Sequence, residues 1–457
     1  MAASADNYYD ALIVGGGQAG IPLAYTLAAE GWSVALAERE QLGGSCVNFG
    51  CTPTKAAIAS AKVAHTARRA GEFGVRVSGV SVDFAAVIER AAGISATSRE
   101  GLESGFAGAD NPRLLRGHAR FTGKTDDGFT LDVGGTSVEA RQVVIDTGSR
   151  TNVPPVEGLG EVEYLTAESW LSRTELPERL VILGGGYIGL EMAQFYRRMG
   201  SEVTVVIGSG DRVLAREDDE VSEAMRAILE DEGVGFLGGS RAERVERSGG
   251  ELAVTLGDGR EVRGTDLFVA TGRSPNTDEL GLEKIGLEAG KGGYIPVDER
   301  LRTEVEGVWA AGDVRGGPMF THTAYDDFRV LASAMTSDGS HTTDRVVPYA
   351  VYTDPELGRA GMTEREAREA GREVEVLRFE MKNDGKSFEI GETKGFIKVI
   401  ADARTEEILG CAVLASEGAE LVHIYIDLMN AGAPTSVLRD AVHIHPTRAE
   451  AIQSAVS

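Results

Sequence analysis

Two cysteines five positions apart are the residues of this chain best suited to redox chemistry. Cys46 and Cys51 lie in the segment GGSCVNFGCTPTK, where Thr52-Pro53 indicates that a helix begins beside the second thiol. The helix dipole stabilises a thiolate at that position, and Lys55 adds positive charge one turn further on. Two thiols at this spacing can close a disulfide across a turn and be reopened by reduction. The alternatives are inert core thiols or a metal site, for which no further Cys or His lies nearby.

A second candidate lies near the end of the chain, in AVHIHPTRAEA. Glu450 follows His445 by five residues, and Pro446 fixes the turn between them. A carboxylate that accepts the Nδ1 proton raises the basicity of an imidazole, which then serves as a general acid and base for a thiol. Taken alone the pair is typical of a surface, but a redox cysteine pair in the same chain favours the catalytic interpretation. His443 is predicted to face elsewhere, with a two-histidine metal site as the alternative; we predict no metal site.

Two glycine-rich βαβ units are expected to position cofactors for this chemistry. The segments DALIVGGGQAG and RLVILGGGYIG each place a G-x-G-x-x-G motif between a short apolar run and a helical stretch. The glycines allow a tight turn, and the helix N-terminus that follows offers free N–H groups to a pyrophosphate. Two dinucleotides are therefore expected. The motif glycines are Gly15, Gly17 and Gly20 in the first unit and Gly184, Gly186 and Gly189 in the second.

The residue at the end of the second strand of each unit indicates which ribose it accepts. Glu38 ends that strand in the first unit, and its carboxylate suits a ribose with a free 2′-hydroxyl. The equivalent position in the second unit is Ile207, which cannot select NADH in this way. The loop beyond it contains Arg212 beside Asp211, so Arg212 is either a ligand of a 2′-phosphate or an exposed loop charge. We predict NADPH at this site, with NADH possible.

Composition excludes several classes of protein. The net charge of −25 repels nucleic acids and anionic membranes, and three cysteines are too few for a disulfide scaffold. Arg supplies most of the cations, which is typical of salt-adapted proteins; an ordinary acidic surface is the alternative. No apolar run approaches the roughly 20 residues that span a bilayer, and the N-terminus lacks the basic start of a signal peptide. We expect a cytoplasmic protein.

Six motifs in order resemble the class I pyridine nucleotide-disulfide oxidoreductases, which include lipoamide dehydrogenase, glutathione reductase and mercuric reductase. They are GGGQAG, GGSCVNFGCTPTK, GGGYIGLE, ATGRSPN, AAGDV and HIHPTRAE, and they extend over essentially the whole chain. The segments CVNFGCTPTK and GAPTSVLRDAVHIHPT look closest to the mercuric reductase-like branch.

The resemblance implies an α/β fold with two Rossmann-like dinucleotide-binding domains, for FAD and NAD(P), and a C-terminal α+β dimerisation domain. We place an FAD-binding domain with the redox disulfide at 1–150 and an NAD(P)-binding domain at 151–275. The FAD-binding part is expected to continue over 276–340, and dimerisation to use 341–457.

The resemblance also assigns cofactor ligands. For FAD these would be the first three glycines with Glu38, His118, Ala119, Thr147, Gly148, Asp313, Thr321 and Lys55. For NAD(P)H they would be the second three glycines with Tyr187, Arg212 and Gly272.

The catalytic roles follow from the same resemblance. Cys51 would be the thiolate beside the flavin and Cys46 the thiol that attacks substrate. Lys55 would pair with Glu191 near the flavin. His445 and Glu450 would reach the cysteines from a partner subunit, so that activity requires a homodimer.

The predicted function is electron transfer from NAD(P)H through FAD and the Cys46–Cys51 disulfide to a small disulfide or a thiol-bound metal ion such as Hg(II). Dihydrolipoamide dehydrogenase is the alternative. Two features depart from the mercuric reductase pattern: the chain ends AIQSAVS without a cysteine pair, and Asp146 stands where relatives usually carry Ala.

Overall fold

The computed structural model describes residues 7–208 and 210–457, which begin with an α/β unit. The apolar run before the first glycines forms a largely buried strand in the interior of the first sheet, with a parallel neighbour on each side. A strand in this position is covered on both faces, which is why its sequence is almost continuously apolar. The elements are β1 (Tyr8–Val14), α1 (Gly20–Ala29), β2 (Val34–Glu38), α2 (Gly44–Asn48), α3 (Cys51–Arg69), α4 (Phe84–Ala107), β3 (Arg113–Arg116), β4 (Ala119–Lys124), β5 (Phe129–Val133), β6 (Thr136–Ile145) and β7 (Ser149–Thr151).

The sheet order is β3-β2-β1-β6-β5-β4. Strands β3, β2, β1 and β6 run parallel, and β5 and β4 extend the sheet as an antiparallel hairpin. The carboxyl ends of β1, β2 and β6 therefore meet at one edge, which is where ligands bind in such sheets.

A second, smaller α/β unit repeats this arrangement. Its parallel sheet has the order β10-β9-β8-β14, and a three-stranded antiparallel sheet of β11, β12 and β13 packs on it. The elements are β8 (Arg179–Leu183), α5 (Tyr187–Met199), β9 (Glu202–Val206), α6 (Asp219–Asp231), β10 (Val234–Leu237), β11 (Ala242–Ser248), β12 (Glu251–Leu256), β13 (Glu261–Gly264), β14 (Asp266–Val269) and β15 (Arg273–Pro275).

The chain then returns to the first unit. β15 pairs antiparallel with β7, so the two strands connecting the units lie side by side. β16 (Val308–Ala310) pairs in parallel with the end of β6, and a 3-10 turn, Gly312–Arg315, leads to α7 (Thr321–Thr336). The Gly312 turn thus lies at the same sheet edge as the first glycine motif. Further 3-10 helices are Ala70–Phe73, Leu159–Glu161, Trp170–Ser172, Leu282–Ile285, Lys291–Gly293 and Met381–Asn383.

The C-terminal domain is a five-stranded antiparallel sheet with short helices. Its order is β17-β18-β21-β20-β19, and β20 and β21 are buried along their whole length. The elements are β17 (Pro348–Val351), β18 (Glu356–Gly361), α8 (Glu364–Glu369), β19 (Val374–Glu380), α9 (Gly385–Glu389), β20 (Phe396–Asp402), β21 (Ile408–Ala415), α10 (Gly418–Leu421), α11 (His423–Asn430), α12 (Ser436–Arg439) and α13 (Ala449–Ser454).

A buried ion pair joins this domain to the second α/β unit. Arg359 Nε donates to Glu217 Oε2 at 2.6 Å, and both side chains are almost fully buried. The predicted fold class, two Rossmann-like units followed by an α+β domain, is confirmed. Among the helices of residues 7–208 and 210–457, none is both long and apolar enough to cross a membrane.

Candidate active site

The two cysteines lie on consecutive helices at the edge of the first sheet. Cys46 is in α2 and half-buried, whereas Cys51 is the first residue of α3 and exposed. Gly50 makes the sharp connection: its N–H donates to Ser45 O at 2.7 Å, and a Cβ at this position would lie 2.8 Å from the same carbonyl. Both thiols line a cavity of about 1410 Å³ that extends to the glycine motif of β1.

The two thiols differ in acidity. A hydrogen bond from Cys46, aided by Lys55 and Thr321, lowers the pKa of Cys51 to about 6, against the opposing effect of desolvation by the walls of the cavity that the thiol lines. The Cys51 Sγ lies 3.2 Å from Thr321 Oγ1, at the start of α7. The hydrogen bond to Cys51, together with burial, raises the pKa of Cys46 above its ordinary value. At neutral pH the reduced pair therefore carries its negative charge on Cys51 and its proton on Cys46.

A lysine and a buried carboxylate hold this charge in place. Lys55 Nζ donates to Glu191 Oε2 at 2.7 Å and lies 4.6 Å from the centroid of the Tyr352 ring. Glu191 is only 4% exposed, and its other oxygen accepts the Tyr352 N–H at 2.9 Å. Burial acts to lower the pKa of Lys55, but Glu191 and Cys51 outweigh it and the net shift is upward. Lys55 is therefore a permanent cation beside Cys51.

The first glycine motif forms a tight turn at the end of β1. Gly15 has a φ of +111°, and a Cβ there would lie 2.2 Å from Asp146 O. A Cβ at Gly20 would lie 2.4 Å from Gly15 O, so glycine is required at both positions. Glu38 Oε2, at the end of β2, accepts the Gly16 N–H at 2.8 Å. The turn, the N-terminus of α1 and the adjoining cavity fit the diphosphate and ribose of FAD.

The other predicted FAD ligands lie around the same cavity. Its lining includes His118, Ala119, Thr147, Gly148, Asp313 and Thr321. Asp313 Oδ2 accepts a hydrogen bond from Ser149 Oγ at 2.5 Å, and His118 Nε2 lies 3.0 Å from Glu279 O. The cavity thus brings together residues of the first sheet, the Gly312 turn and α7.

Sequence reasoning missed Asp327, which fixes the Gly312 turn. Asp327 is fully buried on α7, and its Oδ2 accepts the Gly312 N–H at 2.9 Å. Arg315 and Arg345 both donate to its carboxylate, which balances the buried charge. The acidic pair in YDDFR was the available signal. Its partners Gly312, Arg315 and Arg345 lie 12 to 18 positions away, so the sequence pattern alone does not reveal them.

The second glycine motif has the same geometry as the first. Gly184 has a φ of +119°, and a Cβ at Gly189 would lie 2.0 Å from Gly184 O. Gly186 precedes α5, and Tyr187 begins it, with its ring centroid 5.9 Å from that of Phe320. Gly272 lies beyond β14 with a φ of +111°. This turn fits the diphosphate of a second dinucleotide.

The cation predicted to read the second ribose is engaged elsewhere. Arg212 Nη1 forms an ion pair with Asp219 Oδ1 at 2.5 Å, and Arg212 Nη2 donates to Glu217 O at 2.6 Å, at the start of α6. Ile207 is buried. A different cation lies at the end of β9: Arg241 Nε donates to Gly208 O at 3.2 Å. Its sequence position, beyond β10, gave no signal.

The histidine–carboxylate pair forms on the surface of the C-terminal domain. His445 Nδ1 lies 3.0 Å from Glu450 Oε1, and Thr447 N donates to Glu450 Oε2 at 2.9 Å. The Thr447 N–H, followed by His445, lowers the pKa of Glu450. The His445 side chain is 77% exposed and does not line the cavity of its own chain's cysteines.

Fold and site together define a redox protein that binds two dinucleotides around a pair of cysteines. A family model described as pyridine nucleotide-disulphide oxidoreductase matches residues 9–327, and the model of its dimerisation domain matches residues 347–456. The chain belongs to the pyridine nucleotide-disulfide oxidoreductase family. The family is FAD-dependent and uses NAD(P)H, and its dimerisation domain supports a homodimer.

Several kinds of relative match over nearly the whole chain. The probable oxidoreductase RclA of Escherichia coli is 33% identical, over 99% of both chains. Mercuric reductase of Streptomyces lividans is 34% identical and dihydrolipoyl dehydrogenase 2 of Haloarcula marismortui 35%, each over 98% of this chain and 95% of the relative. The structure of the HOCl-induced flavoprotein disulfide reductase RclA superposes with a TM-score of 0.89 at 32% identity, over 98% of this chain and 99% of that one. These similar values confirm the family and do not single out the mercuric reductase branch.

Proposed function

We propose that the protein is an NADPH-linked flavoprotein reductase whose acceptor is a thiol-bound soft metal ion or a small disulfide. The observation that carries the proposal is a pair of thiols on consecutive helices that line one open cavity, with Cys46 in α2 and Cys51 at the start of α3. The Cys51 Sγ lies 3.2 Å from Thr321 Oγ1, and α3 also carries the Lys55 ammonium. A thiolate stabilised beside Lys55, with its pKa lowered to about 6, suits contact with the flavin. Cys46 can exchange with a substrate once a base removes its proton.

Two electrons would pass through the protein in each turnover. FAD, when bound, would carry two electrons from the nicotinamide to the Cys46–Cys51 disulfide. The dithiol then either exchanges with a substrate disulfide, which leaves as two thiols, or gives both electrons to metal ions. The metal acceptor is either one Hg(II), which leaves as Hg(0), or two Cu(II), which leave as Cu(I), and the thiol proton then passes to solvent. In both cases the disulfide re-forms. His445 of a second subunit would take the proton of Cys46 as it attacks and return it to a departing thiol.

Two observations support a metal ion among the acceptors. Two thiols in one cavity are the soft ligands that such ions prefer. The similar protein RclA has been solved as a Cu(II) complex. A mutant of RclA in which serine replaces one cysteine has also been solved with Cu(II), and that structure superposes on this chain with a TM-score of 0.90. Preference for NADPH is supported by the apolar Ile207 at the end of β9 and by the guanidinium of Arg241 beside Gly208.

The test is nucleotide oxidation by the FAD-loaded homodimer, with NADPH and NADH compared. The acceptors are thiol-complexed Hg(II), Cu(II), a panel of small disulfides and lipoamide. We expect NADPH to be oxidised with a metal ion or a small disulfide. Cys46→Ser should abolish turnover yet keep the absorbance of the Cys51 thiolate beside the flavin, whereas Cys411→Ala, at a buried thiol in β21, should retain turnover. Faster turnover of lipoamide with NADH would contradict the proposal and indicate a dihydrolipoamide dehydrogenase.

A further inference from the structure

Asp146 places a carboxyl group directly beneath the first glycine turn. It follows β6, is only 6% exposed, and its N–H donates to Val14 O at 2.8 Å. Its Oδ2 accepts the Gly20 N–H at 2.8 Å. That N–H is one of the donors at the start of α1 that have no partner within the helix, so its bond fixes the carboxyl where the helix meets the flavin pocket.

The same carboxyl group also contacts the Gly312 turn. A Cβ at Gly17 would lie 2.7 Å from Asp146 Oδ2, and a Cβ at Gly312 would lie 2.9 Å from Oδ1. Asp146 therefore fills the space between two turns that both border the cavity. Its two oxygens face different turns, and the described residues supply Oδ1 with no hydrogen bond.

Three further acidic residues surround this group. Glu38 faces it from the end of β2, Asp313 from the Gly312 turn and Asp327 from α7. Arg315 and Arg345 contact Asp327, and Arg273 lies 3.7 Å from Asp313. Burial first, and then these carboxylates, raise the pKa of Asp146 well above its ordinary value, against the opposing effect of the Gly20 N–H.

We propose that Asp146 is a positioning residue of the flavin pocket that acts as a neutral carboxylic acid, joining the glycine turn to the Gly312 turn and making FAD retention dependent on pH. Because Oδ2 accepts from Gly20, the proton lies on Oδ1, beside the Gly312 turn. Loss of that proton places another negative charge among Glu38, Asp313 and the diphosphate of FAD. Since bound FAD favours the protonated form, affinity is highest in acid and falls as the pH rises through the pKa of the free protein.

The experiment measures the Kd of the apoprotein for FAD by flavin fluorescence, at constant ionic strength, from about pH 6 to about pH 9. Asp146→Asn retains an oxygen for the Gly20 N–H but cannot ionise. The matched control is Asp132→Asn, which alters a more exposed carboxylate on β5 that also accepts a glycine N–H, from Gly135. We expect the wild-type Kd to rise with pH, and that of Asp146→Asn to change by less than about threefold over the same range.

The control should follow the wild type. Asp146→Ala, which loses the bond to Gly20, should bind FAD more weakly at every pH and likewise show no steep pH dependence. A wild-type Kd that is flat with pH would overturn the proposal, and so would an Asp146→Asn profile parallel to the wild type. Thermal unfolding of each apoprotein establishes that the variants are folded.

Discussion

The cysteine site and the histidine pair are assembled to different degrees within one chain. Cys51 has Thr321 at 3.2 Å, and the adjacent Lys55 is paired with a buried Glu191 at 2.7 Å. His445 is 77% exposed, and among residues 7–208 and 210–457 its ring is hydrogen-bonded to Glu450 alone, at 3.0 Å. Within one chain the cysteines are therefore already surrounded by the groups that tune them, whereas the histidine pair lies on an exposed surface.

The residues flanking His445 support this difference. Val442 is 98% exposed and Ile444 79% exposed, an apolar exposure that is unfavourable in water. A second subunit that covers this segment would bury both side chains and bring His445 to a cysteine pair. We therefore expect electron entry to be local to one chain and substrate turnover to depend on the dimer.

The largest effect is expected for His445→Gln. Substrate turnover should fall about 10²- to 10⁴-fold, the usual contribution of a general acid and base. Reduction of bound flavin by NADPH should be unchanged, because the substitution alters no group around the cysteines and the two glycine motifs of the same chain. Rapid-mixing absorbance distinguishes flavin reduction from substrate turnover. His341→Gln is the matched control, because this exposed histidine also pairs with a carboxylate, Asp326 at 3.4 Å.

Mixed dimers test whether His445 acts across the interface. A hybrid of Cys46→Ser and His445→Gln subunits contains one intact site if the histidine acts on the partner's cysteines, and none if it acts on its own. Random mixing of equal amounts should then restore about a quarter of wild-type turnover, since half of the dimers are hybrids with one active site. No recovery after verified subunit exchange would refute the assignment.

An intermediate effect on turnover is expected for Lys55→Met, which removes the cation beside the Cys51 thiolate. The Cys51 thiolate, whose pKa is lowered to about 6, is present above that pH and lost as the pH falls through it. Without Lys55 the thiolate absorbance of the reduced protein should appear only at higher pH, and turnover at neutral pH should fall about 10- to 100-fold.

In the Lys55→Met variant, the stability of the fold should be affected less than the pKa of Cys51. Glu191 keeps its bond from the Tyr352 N–H at 2.9 Å, so we expect a loss of about 1–3 kcal/mol in the free energy of unfolding. Lys62→Met, on the same helix, removes an exposed partner of Asp354 and should cost about 1 kcal/mol or less. An unchanged titration in Lys55→Met would show that Lys55 does not set the acidity of Cys51.

The sequence was most informative where a local pattern has a local consequence. The glycine motifs require positive φ at Gly15 and Gly184, and Thr52-Pro53 indicated the helix that begins at Cys51. Contacts between distant segments carried no such signal. Thr321 lies 270 positions from Cys51 in the sequence. The ion pair between Arg212 and Asp219 forms because α6 begins at Asp219. Local rules therefore located the cysteines, while the groups that tune them required the fold.

The smallest effect is expected for Thr321→Val, which keeps the shape of the side chain and removes its hydroxyl group. Because Thr321 contributes less than Lys55 to the lowered pKa of Cys51, the thiolate titration should move upward by less than in Lys55→Met. Turnover should be unchanged near pH 8, where the thiolate is complete, and fall about two- to fivefold near pH 6. Thr336→Val, whose hydroxyl bonds Ala332 O at the far end of α7, is the control. With FAD content used to normalise each sample, a shift as large as that of Lys55→Met would show that the hydroxyl, rather than the ammonium, is the main stabiliser of the thiolate.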